Sequence, residues 1–380
     1  YTFDLNFNPL ERGPFNYDTK GEPGISAGLD FSGKLKDPRS RWGGIMRTIE
    51  TTNDFEAANI EFIQFWFLDP FLKDPNAESG SLYINLGTIS EDILKDSRKQ
   101  YENGLPRPGV ESKLDTSVWG VTPRISNAIT NAFDANPDVI KNQDVGLDGL
   151  NDDTERSFFN NYLNELQGVV SPEAYNSFNA DPSGDNYKYF LDGSFADSDG
   201  ILNRYKSFNG TQGNSSNNAD GNTNTSGNAK NTPDDEDLNR DNTLNETEEY
   251  FQYRIDLDPI SLVNSEFITD RVVVPLSVNG VPDSAIWYQV QIPINSYNKK
   301  VGNIPDFRSI RYIRLVMTDF EKPVTLRMAE FSLVRNQWRR YTQNIGEPGE
   351  SLPNDHGDNT LFSVTSVSIE ENSNRYPIPY

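Results

Sequence analysis

Two acidic stretches carry oxygen ligands at the spacing required by calcium loops of the EF-hand type. Calcium takes six to eight oxygen ligands, and such a loop places them at positions one, three, five, seven, nine and twelve. In residues 237–248, Asn242 stands at position six, where asparagine tolerates the left-handed conformation needed there. This loop therefore predicts a calcium site. The predicted ligands are, in order, Asp237, Asn239, Asp241, Thr243 (through its carbonyl oxygen), Asn245 and Glu248.

A second loop of this kind spans residues 144–155. Gly146 at position three supplies no side-chain ligand, so the pattern is weaker than in the first loop. Residues 181–185 and 197–200 carry similar but incomplete spacings, and the sequence leaves open whether they bind metal. The alternative for all four stretches is a solvated acidic loop. The predicted ligands of the second loop are Asp144, Asp148, Asp152 and Glu155.

Catalytic chemistry has few candidates. The chain has no cysteine, which excludes a thiolate nucleophile, a disulfide framework and a cysteine-ligated zinc site. Its one histidine, His356, lies in a turn-like stretch, and we interpret it as an exposed residue. Two carboxylates could serve as the acid and base of a glycosidase, but no motif singles out a pair among 57 acidic residues. We therefore predict no catalytic residues and no cofactor other than calcium.

The charge of the chain limits the classes of partner that it can bind. Across 380 residues, 57 Asp and Glu stand against 34 Lys and Arg, which gives a formal net charge of −23. A chain of this sign repels phosphate backbones, so we expect no nucleic-acid partner. Aromatic residues nevertheless make up 12% of the chain. Because disordered acidic chains are poor in aromatic residues, part of the chain must form a packed core.

Four regions of different composition must position these loops. Residues 1–121 and 250–345 contain apolar segments that alternate or run continuously, as is typical of strands. Residues 122–249 are rich in Asp, Asn and Gly, and we interpret them as an acidic, partly helical insertion. Residues 346–380 read as a polar connecting tail. We therefore predict a mostly β fold, a β-sandwich or jelly roll in two parts around the insertion, with a barrel as the alternative.

Local periodicity locates the individual elements. Helices are predicted from an N-cap at residues 90–92 to a stop at residues 104–106, at 125–133 and at 157–166, and the low-complexity residues 208–231 are interpreted as a loop. Strands are predicted at 59–68, 81–86, 251–257, 271–276, 285–294, 312–317, 324–328 and 331–334.

Several longer stretches, spread over nearly the whole chain, are distinctive. They are residues 8–16 (NPLERGPFN), 42–47 (WGGIMR), 54–62 (DFEAANIEF) with 65–66 (FW), 89–96 (ISEDILKD), 101–106 (YENGLP), 144–150 (DVGLDGL) and 369–372 (IEEN). In these stretches the chain resembles the SprA/Sov family of outer-membrane proteins of the type IX secretion and gliding motility system.

The resemblance implies a function without catalysis. Members of the family are similar in role to a very large β-barrel translocon that passes folded cargo across the outer membrane. The chain would be a water-exposed, non-spanning segment of such a protein. The predicted calcium loops, rather than the resemblance, favour the extracellular over the periplasmic side. It would shape the pore mouth or contact other translocon proteins and secreted cargo. The alternative is a carbohydrate-binding jelly-roll module of a secreted or surface protein, with Trp287 and Trp338 stacking on sugars.

Overall fold

Antiparallel strands dominate the computed structural model, which confirms the predicted mostly β fold. The structure describes residues 1–71, 78–102, 114–124, 132–134, 136–215, 230, 232–336, 344–345 and 351–352. The strands are β1 Thr2–Phe7, β2 Lys20–Glu22, β3 Ser26–Gly28, β4 Trp42–Thr48, β5 Ile60–Leu68, β6 Gly80–Thr88, β7 Leu114–Thr116, β8 Val121–Pro123, β9 Glu249–Leu257, β10 Ile268–Val278, β11 Val281–Pro293, β12 Lys299–Val301, β13 Tyr312–Thr318, β14 Val324–Arg335, β15 Asn344–Ile345 and β16 Ser351–Leu352.

Ten of these strands form two five-stranded sheets. The order is β1-β14-β5-β11-β10 in the first sheet and β12-β9-β6-β13-β4 in the second. All the neighbouring strands in both sheets pair antiparallel. Each sheet combines strands from both sides of the helical region, so the chain returns to the same two sheets after residue 249. The remaining strands pair as β2-β3, β7-β8 and β15-β16.

The two sheets share one buried core. Strands β5, β11 and β14 of the first sheet and β6, β9 and β13 of the second all contribute to a single apolar cluster. Phe65 of β5 stacks on Phe331 at 5.1 Å between ring centroids, and Phe251 of β9 stacks on Phe307 at 4.0 Å. Because apolar side chains on facing sheets meet in one cluster, the arrangement is that of a β-sandwich.

The predicted strands are present, with one difference. Residues 324–328 and 331–334, predicted as two strands, form the single strand β14. The register of β14 against β5 shifts between Ala329 and Ser332, and Glu330 between them has a positive φ of 54°. The break in the sequence pattern is therefore a β-bulge, which inserts an extra residue without ending the strand.

The helix predicted to begin at residue 90 is wrong, because its described part, residues 90–102, contains no helix. These residues form successive bends in which Asp92 accepts the N–H groups of Asp96 and Ser97. Glu236 accepts the N–H groups of Ile93 and Leu94. Since carboxylates take the N–H groups that a helix would pair with its own carbonyls, the side chains compete successfully against the helix.

Five short helices lie within residues 137–204, and three of them contribute side chains to a smaller core. The predicted helix at 157–166 is present in two pieces, α2 and α3. Leu150, Phe159, Leu163 and Phe178 belong to a second buried cluster. The helices are α1 Pro137–Ile140, α2 Asp152–Phe158, α3 Asn160–Leu166, α4 Pro172–Ala180, α5 Ile201–Arg204 and α6 Pro259–Asn264, with a 3-10 turn at Pro38–Ser40.

Some predicted elements lie wholly or partly outside the described residues. These are most of the helix at 125–133, most of the loop at 208–231, His356, Trp338 and nearly all of the tail at 346–380. The division into four regions remains a prediction. Among the residues that the structure does describe, no helix has both the length and the apolar character needed to cross a membrane.

Candidate cation site

Helix α2 brings two acidic side chains to one face. Asn151 caps the helix, because its side chain accepts the N–H of Thr154 while the Thr154 hydroxyl accepts the N–H of Asn151. Asp152 and Glu155 follow at a spacing of three residues, so they are neighbours on the helix surface. Asp148 lies in the preceding loop, where its carboxylate accepts the N–H of Leu150 at 3.0 Å.

A tight loop after α4 faces these residues. The Asp181 carboxylate accepts the N–H groups of Gly184 at 2.7 Å and Asp185 at 3.2 Å, and Gly184 has a φ of +72°. Ser183 then donates its N–H to Glu155 at 2.9 Å and its hydroxyl to Asp148 at 2.6 Å. These bonds hold the loop after α4 against α2.

The two segments together form a group of five carboxylates, which we call the carboxylate cluster. Carboxylate oxygens of Asp152, Glu155 and Asp181 lie within 4.8 Å of one another. No salt bridge among the described residues involves any member of the cluster. Arg12 donates instead to the backbone oxygens of Asp181 and Pro182. The members are Asp148, Asp152, Glu155, Asp181 and Asp185.

Burial makes this cluster electrostatically unfavourable without a cation. Burial, with smaller contributions from neighbouring carboxylates, raises the pKa of Asp148 to about 7 and that of Glu155 to about 8. The same causes raise the pKa of Asp185 well above its ordinary value. Oε1 of Glu155 and Oδ1 of Asp185 are buried and have no hydrogen-bond partner among the described residues. The cluster can therefore hold protons or a metal cation.

The structure brings together three of the four ligands predicted in the loop at 144–155. Asp144 is not in the group of close carboxylates and accepts N–H groups from Gly213, Asn214 and Ser215. It also lies beside the buried Glu102, whose pKa is raised to about 10 by burial first and by the charge of Asp144 second. Asp148, Asp152 and Glu155 instead meet the loop after α4, so the predicted linear loop is not the unit that gathers these carboxylates.

The loop at 237–248 folds as a turn around its first residue. Asp237 accepts the N–H groups of Asp241 at 3.1 Å and Asn242 at 2.7 Å. Asn242 has the positive φ expected at position six, 67°. In addition, Lys99 donates to the Asp237 carboxylate at 2.9 Å. The first predicted ligand is therefore already neutralised by a lysine.

The other predicted ligands of this loop also have protein partners. Arg314 binds both oxygens of Glu248, at 2.9 and 3.0 Å. The side-chain amide of Asn239 donates to the Tyr312 hydroxyl, and that of Asn245 donates to the Ile89 carbonyl. Asp241 accepts both the N–H and the hydroxyl of Thr243. No helix follows the loop, because β9 begins directly at Glu249.

Sequence reasoning missed a second set of functional carboxylates, the buried glutamates. Glu91 accepts the N–H groups of Asn239 and Asn245, and Glu102 accepts those of Gly146 and Asp234. Each connects segments far apart in the chain, so no local spacing could reveal its role. Asp181 and Asp185 did have a local signal, the incomplete spacing at 181–185, but their partners in α2 lie in a different segment.

A model of a known protein family matches more than half of the chain. The model of the SprA_N family, described as a motility related/secretion protein, matches residues 161–380. The matched part contains Asp181, Asp185 and the strands from β9 onwards. A search of curated proteins gives no match.

Proposed function

The chain belongs to the SprA_N family of motility-related and secretion proteins, and from this premise we propose that it is a non-enzymatic segment of a secretion translocon. In this proposal the translocon is the outer-membrane component of type IX secretion and gliding motility. The segment faces water on the extracellular side and contacts other translocon proteins or secreted cargo. Hydrolysis of a polysaccharide by the chain would contradict the non-enzymatic part of the proposal.

The observation that carries the proposal is a hairpin that extends beyond the first sheet. Strands β10 and β11 are joined by Asn279 and Gly280, with φ of 51° and 80°, as in a type I′ turn. The hairpin pairs out to its tip, but β11 contacts β5 only through residues 287–293. Among the described strands, the outer part of the hairpin therefore has no sheet neighbour.

Most of this outer part is apolar and exposed, and it reaches the sandwich at Ile286, whose carbonyl accepts the N–H of Asp69. The only charged side chains in residues 271–286 are Arg271 and Asp283. Among the described strands β10 is an edge strand. An exposed apolar ribbon at such an edge offers hydrophobic contact and backbone groups to an incoming strand. We take the occupant to be an extended strand of another translocon protein. The exposed apolar side chains are Val272, Val273, Val274, Leu276 and Val281.

A photo-crosslinking amino acid at position 274 of the full-length protein, expressed in its own cells, tests this surface. We expect a covalent adduct to another translocon protein from position 274. The same probe at Ile25, an exposed apolar residue in the turn between β2 and β3, is the matched control and should give no such adduct. An equal yield from both positions, or none from 272, 274 and 276, would contradict the proposed contact.

Calcium binding is the second part of the proposal. Its support is the concentration of carboxylates in residues 144–248 of a chain with a formal net charge of −23. Calcium prefers such oxygen ligands, and extracellular calcium modules commonly bind it with dissociation constants of about 10⁻⁴–10⁻³ M. We therefore expect calcium to stabilise the folded segment.

A further inference from the structure

We propose that the carboxylate cluster binds one calcium ion, which fastens the loop after α4 to helix α2. This inference rests on the proposed calcium binding and goes further in two respects. It assigns the ion to ligands from two separate segments, including Asp181 and Asp185. It also places the ion outside the loop at 237–248.

The separation of the oxygens fits a single ion. Calcium–oxygen distances are about 2.3–2.6 Å, so two ligands on opposite sides of one ion lie about 5 Å apart. The carboxylate oxygens of Asp152, Glu155 and Asp181 lie within 4.8 Å of one another. The three groups can therefore contact one ion with little change in their positions.

Two buried oxygens point to a missing ligand. Glu155 is 0% exposed and Asp185 is 1% exposed, and each has one carboxylate oxygen without a hydrogen-bond partner in the described part of the chain. Buried polar atoms are almost always paired, because an unpaired one has lost its hydration without compensation. A cation held by these carboxylates would supply a partner of the kind that both oxygens lack among the described residues.

The donor set indicates which cation. All five side chains are carboxylates, and hard oxygen ligands favour calcium, magnesium or manganese over zinc or copper. Several carboxylates on a helix and a loop give a high ligand number with irregular geometry. Calcium accepts such geometry, whereas magnesium needs a near-ideal octahedron and retains most of its water.

A divalent cation would stabilise the loop at 237–248 less, because two of its carboxylates already have cationic partners. Lys99 and Arg314 already carry positive charge to Asp237 and Glu248. The carboxylate cluster has no such partner among the described residues. Of the two places, the cluster therefore gains more from a divalent ion.

The ion would act on more than α2. In the loop after α4, the Ser183 carbonyl also accepts the N–H of Phe15 at 2.7 Å. The Tyr17 hydroxyl lies 3.0 Å from the Ser183 hydroxyl, and Arg12 donates to the Pro182 carbonyl at 2.7 Å. A cation in the cluster would thus fix the point where residues 12–17 meet the helices of the acidic region.

Calorimetric titration of the 380-residue chain with calcium chloride, after removal of divalent ions, tests the assignment. Loss of a group that only supports a metal ligand typically weakens binding about 10–100-fold. We therefore expect Glu155→Gln and Asp185→Asn to weaken calcium binding at least about tenfold. Asp237→Asn is the matched control, with a binding constant within about twofold of the unchanged chain.

Thermal unfolding of Asp185→Asn separates a lost ligand from a damaged fold. Without calcium the variant should melt no lower than the unchanged chain, because an amide of the same size replaces one of several crowded carboxyl groups. With saturating calcium it should melt lower, because the ion is bound less tightly. Unchanged calcium affinity in both cluster variants, loss of affinity in Asp237→Asn, or no binding by the unchanged chain would each overturn the assignment. None of these results bears on the crosslinking at the hairpin.

Discussion

Buried glutamates close the loops of the acidic region by accepting backbone N–H groups. Glu236 accepts three such groups, from Ile93, Leu94 and Gln100, and burial raises its pKa to about 7. Glu102 accepts two backbone N–H groups, and its pKa is raised further, to about 10. Side chains of this kind hold irregular backbone in place where no helix or sheet does so.

The raised pKa of Glu102 predicts a pH dependence of stability. The folded state keeps the Glu102 proton up to about pH 10, whereas the unfolded state loses it near 4.5. Glu102 therefore stabilises the fold fully below about pH 4.5, and this contribution is lost as the pH rises towards 10. Within this window the unfolding free energy should fall by up to about 1.4 kcal/mol per pH unit.

Denaturant unfolding from pH 6 to pH 9 measures this effect. It should be carried out with saturating calcium, so that the carboxylate cluster contributes little to the slope. Glu102→Gln cannot ionise and should make the pH dependence shallower than in the unchanged chain. If the two chains have the same slope, Glu102 does not titrate in this way.

At the scale of the element, turns and bulges decide how far a strand extends. The bulge at Glu330 lets β14 continue through a break in its pattern, and the Asn279–Gly280 turn lets β10 and β11 reverse in two residues. Strand β4 was not predicted because Gly43 and Gly44 weaken its strand signal, yet it pairs with β13 along seven residues.

Gly280→Ala tests whether the β10–β11 hairpin opens independently of the sandwich. A left-handed conformation costs a residue with a Cβ about 1–2 kcal/mol, so opening of the hairpin becomes easier. Amide hydrogen exchange in residues 271–286 should speed up by about tenfold, with little change in the melting temperature of the sandwich. Gly193→Ala is the control, because a Cβ at Gly193 would meet open space without a positive φ. A large fall in global stability in Gly280→Ala would show that the hairpin is integral to the core.

At the scale of the whole molecule, the carboxylate cluster lies at the smaller of the two apolar cores. The sandwich core joins both sheets in one cluster, while the carboxylate cluster lies beside the smaller core of α2, α3 and α4. A net charge of −23 opposes compaction, so a bound cation should stabilise the molecule by reducing repulsion where carboxylates are densest.

Chelation tests calcium stabilisation directly. At about 10 mM calcium and a dissociation constant near 10⁻⁴ M, binding adds about 2.7 kcal/mol to the unfolding free energy. The melting temperature should therefore fall by several degrees when EDTA replaces calcium, as measured by calorimetry. Magnesium at equal ionic strength should restore only a small part of the loss. An unchanged melting temperature with EDTA would rule out a stabilising calcium ion.

Local features of the sequence were sufficient for most of the fold. Strand periodicity acts over a few residues, so β5, β6, β9, β11 and β13 could be predicted. The resemblance to the family was also visible in the sequence, and the family model matches residues 161–380. The acidic loops were also visible, as was the positive φ of Asn242. The tertiary structure alone decided which charges meet. Asp181 reaches Glu155, Lys99 reaches Asp237 and Arg314 reaches Glu248 across long stretches of chain, because such contacts depend on how separate segments pack.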